Sequence, residues 1–248
     1  MSRIDVYLVQ KGFTESRSLA AALIRSGAVS VNGKICTKPA LEVAEGAEIS
    51  LAESPLTRYV SRGGLKLEVA LEAWGYDPKG RVCADIGSST GGFTDCLLQR
   101  GAAKVYAVDS GSDQLHPSLR ERSEVVVMEN VNARHLTRED LEAVDLAVMD
   151  VSFISQTLLY PAVMRILKED GVFISLIKPQ FEVGKAHLGG GGIVRSRAAR
   201  EAVPKKIAEA AEKNGLKLEK TMLSPIQGGD GNVEYLAYFT RKNRKGSP

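Results

Sequence analysis

Cysteine, histidine and net charge are all scarce in this chain of 248 residues: three Cys, three His, and a balance of only +3. Cys36, Cys83 and Cys96 form no Cys-x-x-Cys pair, and an odd number cannot all be paired internally. That excludes a disulfide scaffold and suits a reducing cytoplasm. His116, His135 and His187 are scattered without metal-ligand spacing, so no metal site is expected. No apolar run reaches the ~18 residues of a membrane-spanning helix. The opening Met-Ser-Arg-Ile-Asp-Val lacks the apolar core of a secretion signal. So small a net charge means that any nucleic-acid role must rest on local basic clustering. The rest is ordinary globular composition, 44% hydrophobic and 25% charged, enough for one large domain or a small one plus a medium one.

The first fifty residues have a grammar of their own. Arg3 to Lys11 reads as a short helix with Ile4, Tyr7 and Leu8 on one face, closed by Gly12. Ser16 or Ser18 caps a second helix through Arg25, with Leu19, Leu23 and Ile24 inward and Gly27 as its stop. Val29 to Ile35 alternates about Asn32-Gly33, the strongest short hairpin signal, and Glu48 to Leu51 closes the unit as another strand. Residues 1–38 carry six basic side chains (Arg3, Lys11, Arg17, Arg25, Lys34, Lys38) against two acids, Asp5 and Glu15. Glu42, Glu45, Glu48 and Glu53 cancel that excess overall but not locally. A basic helix pair backed by a hairpin can lay its cations on phosphates, or it can be a solvated charged face; charge alone does not choose. The order helix, helix, Asn-Gly hairpin, strand resembles the S-four (alpha-L) RNA-binding domain over roughly residues 3–51. That resemblance favours RNA, with Arg3, Arg17, Arg25 and Lys34 as expected contacts.

Ser54-Pro55-Leu56-Thr57 reads as a boundary, and Arg58 to Gly64 as a flexible basic linker whose Arg58 and Arg62 extend the RNA surface. The chain then divides into a first domain over 1–54, a linker over 55–64 and a larger domain over 65–248. Leu65 to Trp74 is an amphipathic helix, with Leu67, Ala70, Leu71 and Trp74 at helical spacing. From residue 81 strands and helices alternate. Strands are expected at Val82–Ile86, Lys104–Val108, Glu124–Met128, Leu146–Val151 and Val172–Ile177, with helices at Phe93–Gln99, Leu115–Arg120, Arg138–Ala143 and Leu158–Lys168. Short apolar strands in such alternation mean an α/β, doubly wound, mostly parallel sheet with its site at the strand C-terminal ends. A helix over Arg197–Asn214, interrupted by Pro204, precedes an antiparallel edge hairpin, Leu216–Leu223 and Val233–Thr240. The basic tail Arg241 to Lys245 reads as frayed.

Asp85-Ile86-Gly87-Ser88-Ser89-Thr90-Gly91-Gly92-Phe93 follows the first of these strands and opens a helix. Its glycines permit a tight turn and close approach of a ligand. The spacing is neither the dinucleotide fingerprint nor a P-loop, so a diphosphate is disfavoured. Asp109, ending the next strand, can accept from ribose hydroxyls. Glu129-Asn130-Val131-Asn132, ending the third, can contact a purine. An acid at each of three successive strand ends fits S-adenosylmethionine, an amino-acid head, a sulfonium and an adenosine. The bland alternative is that the glycines only make a turn.

Further polar groups crowd the same rim. Asp150 lies in Val148-Met149-Asp150-Val151-Ser152-Phe153, and Lys178 in Ile177-Lys178-Pro179-Gln180-Phe181, where Pro179 ends the strand. Glu234 begins the last strand, and Lys66 lies in the first turn of the helix after the linker. A neutral sugar hydroxyl is a poor nucleophile, so methyl transfer to it needs a base and alignment. Two lysines and two acids in one pocket would supply both. Taken singly, Lys66 reads as a surface lysine.

Four motifs then occur in order: Ser61-Arg62-Gly63-Gly64-Leu65-Lys66-Leu67, the Asp85–Phe93 loop, Asp150-Val151-Ser152-Phe153-Ile154-Ser155, and Ile177-Lys178-Pro179-Gln180-Phe181-Glu182. The pattern resembles the TlyA/hemolysin A family, which joins an S-four domain to an FtsJ-like methyltransferase domain. The resemblance spans essentially the whole chain. It implies a Rossmann-like class I methyltransferase fold with a mostly parallel seven-stranded sheet, preceded by a small α+β domain. It also implies cytidine 2′-O-methylation of ribosomal RNA with S-adenosylmethionine, and a Lys-Asp-Lys-Glu tetrad falling on Lys66, Asp150, Lys178 and Glu234. In that scheme Lys178 is the likelier base, Lys66 and Asp150 position the ribose, and Glu234 orients the group. Arg58-Tyr59-Val60-Ser61 matches the family's interdomain linker. Only Met1 and Ser2 precede the first helix, as in the family's shorter type, which leads to an expectation of large-subunit rRNA. The loop His187 to Arg195 either closes over substrate or is a plain connector. Three competing classes are a non-catalytic ribosome-assembly factor, a membrane-damaging protein and a small-molecule methyltransferase. Complete tetrad residues, the lack of a spanning segment and the basic N-terminal module stand against them in turn.

Overall fold

The computed structural model describes residues 1–14, 16–52, 54–228 and 231–242. Glu15 and Glu53 of the charge count, Gly229 and the tail beyond Lys242 lie outside the described residues. The chain divides into two units, Met1–Leu65 and Lys66–Pro248, so residues 55–64 fall with the first.

The first unit runs β1 (Ser2–Arg3), α1 (Ile4–Gln10), α2 (Arg17–Arg25), β2 (Val29–Val31), β3 (Lys34–Cys36), β4 (Glu42–Val43) and β5 (Ile49–Leu51). The Ser16 hydroxyl caps α2 by accepting from the Leu19 N–H at 3.2 Å. Asn32 and Gly33 both sit in the left-handed region, φ 48° and 75°, which matches the twist of a two-residue hairpin. β3, β2 and β5 form one antiparallel sheet, and β1 pairs with β4. The β1–β4 pair was not legible in the sequence, because two residues carry no periodicity. Ile4, Leu8, Leu23, Ile24 and Val29 are fully buried together. Each such aliphatic contributes roughly 1.5–3 kcal/mol, which is what lets so short a unit hold a core. The expected flexible stretch at 58–64 is corrected in part. Tyr59 is buried, Gly64 packs against the base of its side chain, and Arg62 Nη2 donates to Ser18 Oγ at 3.1 Å.

The second unit follows α3 (Gly63–Trp74) with β6 (Val82–Ile86), α4 (Gly92–Gln99), β7 (Lys104–Val108), α5 (Pro117–Arg120), β8 (Val125–Met128) and β9 (Val144–Met149). Then come α6 (Tyr160–Ile166), β10 (Leu167–Ile177), α7 (Arg197–Lys213), β11 (Leu216–Leu223) and β12 (Tyr235–Arg241). They build one seven-stranded sheet in the order β11-β12-β10-β9-β6-β7-β8. Strands β6 to β10 are parallel, and β12 is antiparallel to both β10 and β11. The strand order reverses at β6, whose neighbours are β7 and β9, which opens a crevice at the strand C-terminal ends there. Tyr160, Phe173 and Phe239 pack mutually in the core beneath it.

Three expectations are corrected. Arg138–Ala143 is a turn rather than a helix: Thr137 and Asp140 close a single capped turn, and the chain enters β9 at Val144 before a further helical turn can form. The helix at Leu158–Lys168 ends at Ile166 because Leu167 enters β10. Helix α7 runs through Pro204 without a break, forgoing the one hydrogen bond a proline nitrogen cannot donate.

Candidate active site

Strand β6 delivers Asp85 to the sheet's C-terminal rim, and the chain turns there through Gly87, Ser89 and Gly91, all at positive φ. Gly87 is required sterically. A Cβ on it would lie 2.8 Å from the Asp150 carbonyl oxygen and 2.9 Å from Val151 Cγ1, at φ +81°. Gly87→Ala therefore combines left-handed strain with overpacking against backbone, and a loss of about 2–3 kcal/mol is expected. Urea unfolding measures the loss, and calorimetry the accompanying fall in cofactor affinity. A midpoint equal to that of the parent chain would show that the turn tolerates a side chain.

Asp85 is fully buried. Its Oδ2 accepts from the Thr94 backbone N–H at 3.0 Å and hydroxyl at 2.7 Å, so it caps the first turn of α4 from the neighbouring strand. Burial pushes its carboxyl up to about 7. The Thr94 hydrogen bonds oppose that, and the charges of Asp150 and Asp109 reinforce it. Among the described residues its Oδ1 has no hydrogen-bond partner. So strongly shifted a carboxyl at the strand rim marks a candidate functional site.

Asp109 holds the turn from the next strand, accepting from the Ser89 N–H and the Gly111 N–H, each at 2.8 Å. Beside it opens a cavity of about 380 Å³, within the size of small-ligand sites. Gly87, Ser89, Asp109, Asn132 and Asp150 line it, with Ser110, Gln114, Ser152 and apolar Val108, Val131 and Leu159. Of the residues expected to bind cofactor, Asp85, Ser88, Thr90, Gly91, Gly92, Phe93, Glu129 and Asn130 are not among that lining. Glu129 is otherwise occupied. Arg120 pairs with it and above all holds its carboxyl down at about 2, helped by the N–H groups of Leu115, Asp113 and Gln114, from which it accepts. It thus organises the loop that supplies Gln114 to the cavity. The residues present fit a cofactor with a cationic centre and a hydroxylated ring system: a glycine whose Cβ would collide with the wall, the carboxylates of Asp109 and Asp150, and mixed polar and apolar walls.

The four candidate reacting residues meet on the same rim. Glu234 immediately precedes β12 and Lys178 immediately follows β10, and the register Ile177↔Tyr235 sets them side by side. Asp150 follows β9, the strand on the other side of β10. Lys178 Nζ pairs with Asp150 Oδ1 at 2.7 Å and donates to Ser152 Oγ at 2.8 Å. Lys66 Nζ pairs with Glu234 Oε2 at 2.6 Å, with side chains only 10% and 2% exposed. Lys66 is thus no surface lysine: α3 is buried on more than its apolar stripe, with Lys66 and Glu68 inside as well as Leu67, Ala70 and Leu71. Gly228 lies against the carboxylate, where a Cβ would come within 2.6 Å of Glu234 Oε1. The arrangement offers a lysine amine held by a carboxylate and a hydroxyl beside the cavity, flanked by a second, buried lysine–carboxylate pair.

Reading the sequence missed Ser152, Gln114 and Phe153 as site residues. Phe153 sits at φ +64°, 92% exposed on the cavity rim, its ring 5.3 Å from that of Phe181. A strained, exposed aromatic is a signal only coordinates reveal. Loop 188–194 is a closed turn: Leu188 bridges Val194, and buried Asn232 accepts from the Val194 N–H at 3.1 Å and donates to the Gly192 carbonyl at 3.2 Å.

In the first unit, Arg3 and Arg17 converge on buried Asp5 at 3.0 and 3.1 Å, and Arg3 above all holds that carboxyl below its usual range. Both guanidiniums remain half exposed or more, and Arg25, Lys34 and Arg58 are exposed. Arg62 is partly buried on Ser18.

The chain matches the FtsJ-like methyltransferase family over residues 59–241 and the S4 domain over residues 2–49. It is 42% identical to the 16S/23S rRNA (cytidine-2′-O)-methyltransferase TlyA of Mycobacterium tuberculosis, across 96% of this chain and 89% of that one. It is 41% identical to Hemolysin A of Brachyspira hyodysenteriae, across 96% and 99%. A solved structure described as a putative hemolysin from Streptococcus thermophilus superposes with a TM-score of 0.78 at 41% identity, covering 98% of this chain and 89% of that one.

Proposed function

The chain belongs to the FtsJ-like methyltransferase family, and from that premise we infer that it is an S-adenosylmethionine-dependent rRNA (cytidine-2′-O)-methyltransferase. One observation carries the reading: Lys178 is held by Asp150 and Ser152, two residues that line the cavity that suits the cofactor. S-adenosylmethionine, when bound, supplies an electrophilic methyl on a sulfonium. Gly87, Ser89, Asp109, Gln114 and Asn132 would hold it, with the carboxylates of Asp109 and Asp150 favouring its positive charge. Lys178 Nζ would take the ribose hydroxyl proton, so that the hydroxyl oxygen can accept the methyl the cofactor supplies. Asp150 and Ser152 keep the amine in one place, and Lys66 with Glu234 fixes the neighbouring wall.

The partner is ribosomal RNA, engaged by the S4 unit, and the site of action we propose is the cytoplasm. The test is transfer of labelled methyl from the cofactor to 16S and 23S rRNA, read separately with the modified nucleotide mapped by mass spectrometry. The expected mark is a 2′-O-methylcytidine in 23S rRNA. Absence of ribose methylation on either RNA would end the reading. A membrane-damaging alternative finds no support in the fold: among the described residues no helix is long and apolar enough to cross a membrane.

Arg17→Ala with Arg25→Ala is expected to weaken rRNA binding and to flatten the slope of log K against log salt by about 1–2, one counterion for each phosphate no longer neutralised. Filter binding at several salt concentrations measures it. An unchanged slope would move the phosphate-binding surface elsewhere.

A further inference from the structure

Glu182 lies four residues beyond Lys178, only 4% exposed, and nothing in the reaction described above uses it. Its Oε2 accepts from the Ser155 hydroxyl at 2.7 Å and its Oε1 from the Gln156 N–H at 2.9 Å. Ser155 and Gln156 belong to the segment that begins at Asp150. Two stretches of largely irregular backbone, one leaving β9 and one leaving β10, are therefore joined at three levels. At the rim Lys178 meets Asp150 and Ser152; above it Phe153 meets Phe181; at the far end Glu182 meets Ser155 and Gln156. The first of these hangs on the flexible stem of a lysine, which by itself fixes two loops loosely. The Glu182 tie is the buried one. Burial pushes its carboxyl up, and the bonds from Ser155 and Gln156 act against that.

We propose that Glu182 is a positioning residue for methyl transfer, its carboxylate clasping the Asp150 segment to the Lys178 segment so that the two side chains meet in register. The proposal rests on the methyltransferase reading given above. It concerns alignment of the base and not cofactor binding, since Glu182 does not line the cofactor cavity.

The test is steady-state methyl transfer to rRNA with the full chain, alongside cofactor affinity by calorimetry and thermal unfolding. A misplacement of about 1 Å at the reacting groups lowers rate by about 100-fold. Glu182→Ala is accordingly expected to lower kcat by about 10- to 100-fold, with KM for RNA and cofactor affinity within about threefold of the parent chain. Glu182→Gln is expected to recover most of kcat, because its amide oxygen can accept from Gln156 and its amide nitrogen donate to Ser155. Ser155→Ala removes one of the two bonds and should lower kcat by a smaller factor, which keeps the proposal testable if Glu182→Ala does not fold. A kcat for Glu182→Ala within twofold of the parent would overturn the proposal. So would an equal loss in Glu182→Ala and Glu182→Gln, which would assign the effect to charge rather than to the clasp. A parent chain that methylates no rRNA is a different result and defeats the methyltransferase reading itself.

Discussion

Lys178→Ala is expected to abolish detectable methyl transfer to rRNA while leaving folding and cofactor affinity close to those of the parent chain. A positioned base contributes about 10²–10⁴ to a rate, and this amine is the one placed beside the cavity with both an acid and a hydroxyl to orient it. The fold should tolerate its loss. Asp150, the carboxylate left behind, lines the cavity, so water can enter the space the lysine vacates. Lys178→Arg should fail as well, since a guanidinium does not deprotonate in proteins and cannot accept the hydroxyl proton. The measurements are labelled methyl incorporation and calorimetric cofactor titration on the same preparations. More than about a tenth of parental activity in Lys178→Ala, well above what loss of a general base allows, would assign the base elsewhere.

Lys66→Ala is expected to act through stability as well as rate. Glu234 is 2% exposed and its partner amine lies 2.6 Å away. Removing one member of a buried pair leaves an uncompensated charge, for a loss of about 3–5 kcal/mol. Removing both should be far milder. Lys66→Met combined with Glu234→Leu replaces the pair by apolar groups and is expected to restore most of the unfolding free energy. Methyl transfer should stay low in the double variant, because the wall beside Lys178 no longer carries its charges. Urea denaturation separates the two effects. A single variant as stable as the parent would mean that the pair contributes nothing net to folding.

The elements that sequence made legible are those whose cause is local. Asn32-Gly33 turns because those two residue types accept positive φ, and Ser16 caps α2 because its hydroxyl reaches three residues on. The apolar runs that became β6, β7 and β9 are buried on both faces, as parallel strands between helices must be. Where tertiary structure overrode a local cause, the expectation changed: the chain is drawn into β9 at Val144 directly after the Thr137–Asp140 turn, and α7 outlasts Pro204 because its buried Val203, Ile207 and Ala211 are held by packing. At the site, acids at successive strand ends could be placed on the correct rim, but their separate duties could not. Asp85 caps a helix, Glu129 folds a loop, and only Asp109 and Asp150 reach the cavity wall.

Sequence by itself determined the two-part plan, the alternation that builds the sheet, and the strand ends at which polar groups gather, since each follows from periodicity, turn chemistry or the freedom of glycine. Tertiary structure alone decided that Lys66 is buried against a carboxylate 168 residues away, that Phe153 stands exposed at positive φ, and that Glu182 faces back toward Ser155. The reason is that strand order, not spacing along the chain, chooses neighbours. A sheet that runs β12-β10-β9-β6 sets side by side residues whose separation no local pattern encodes.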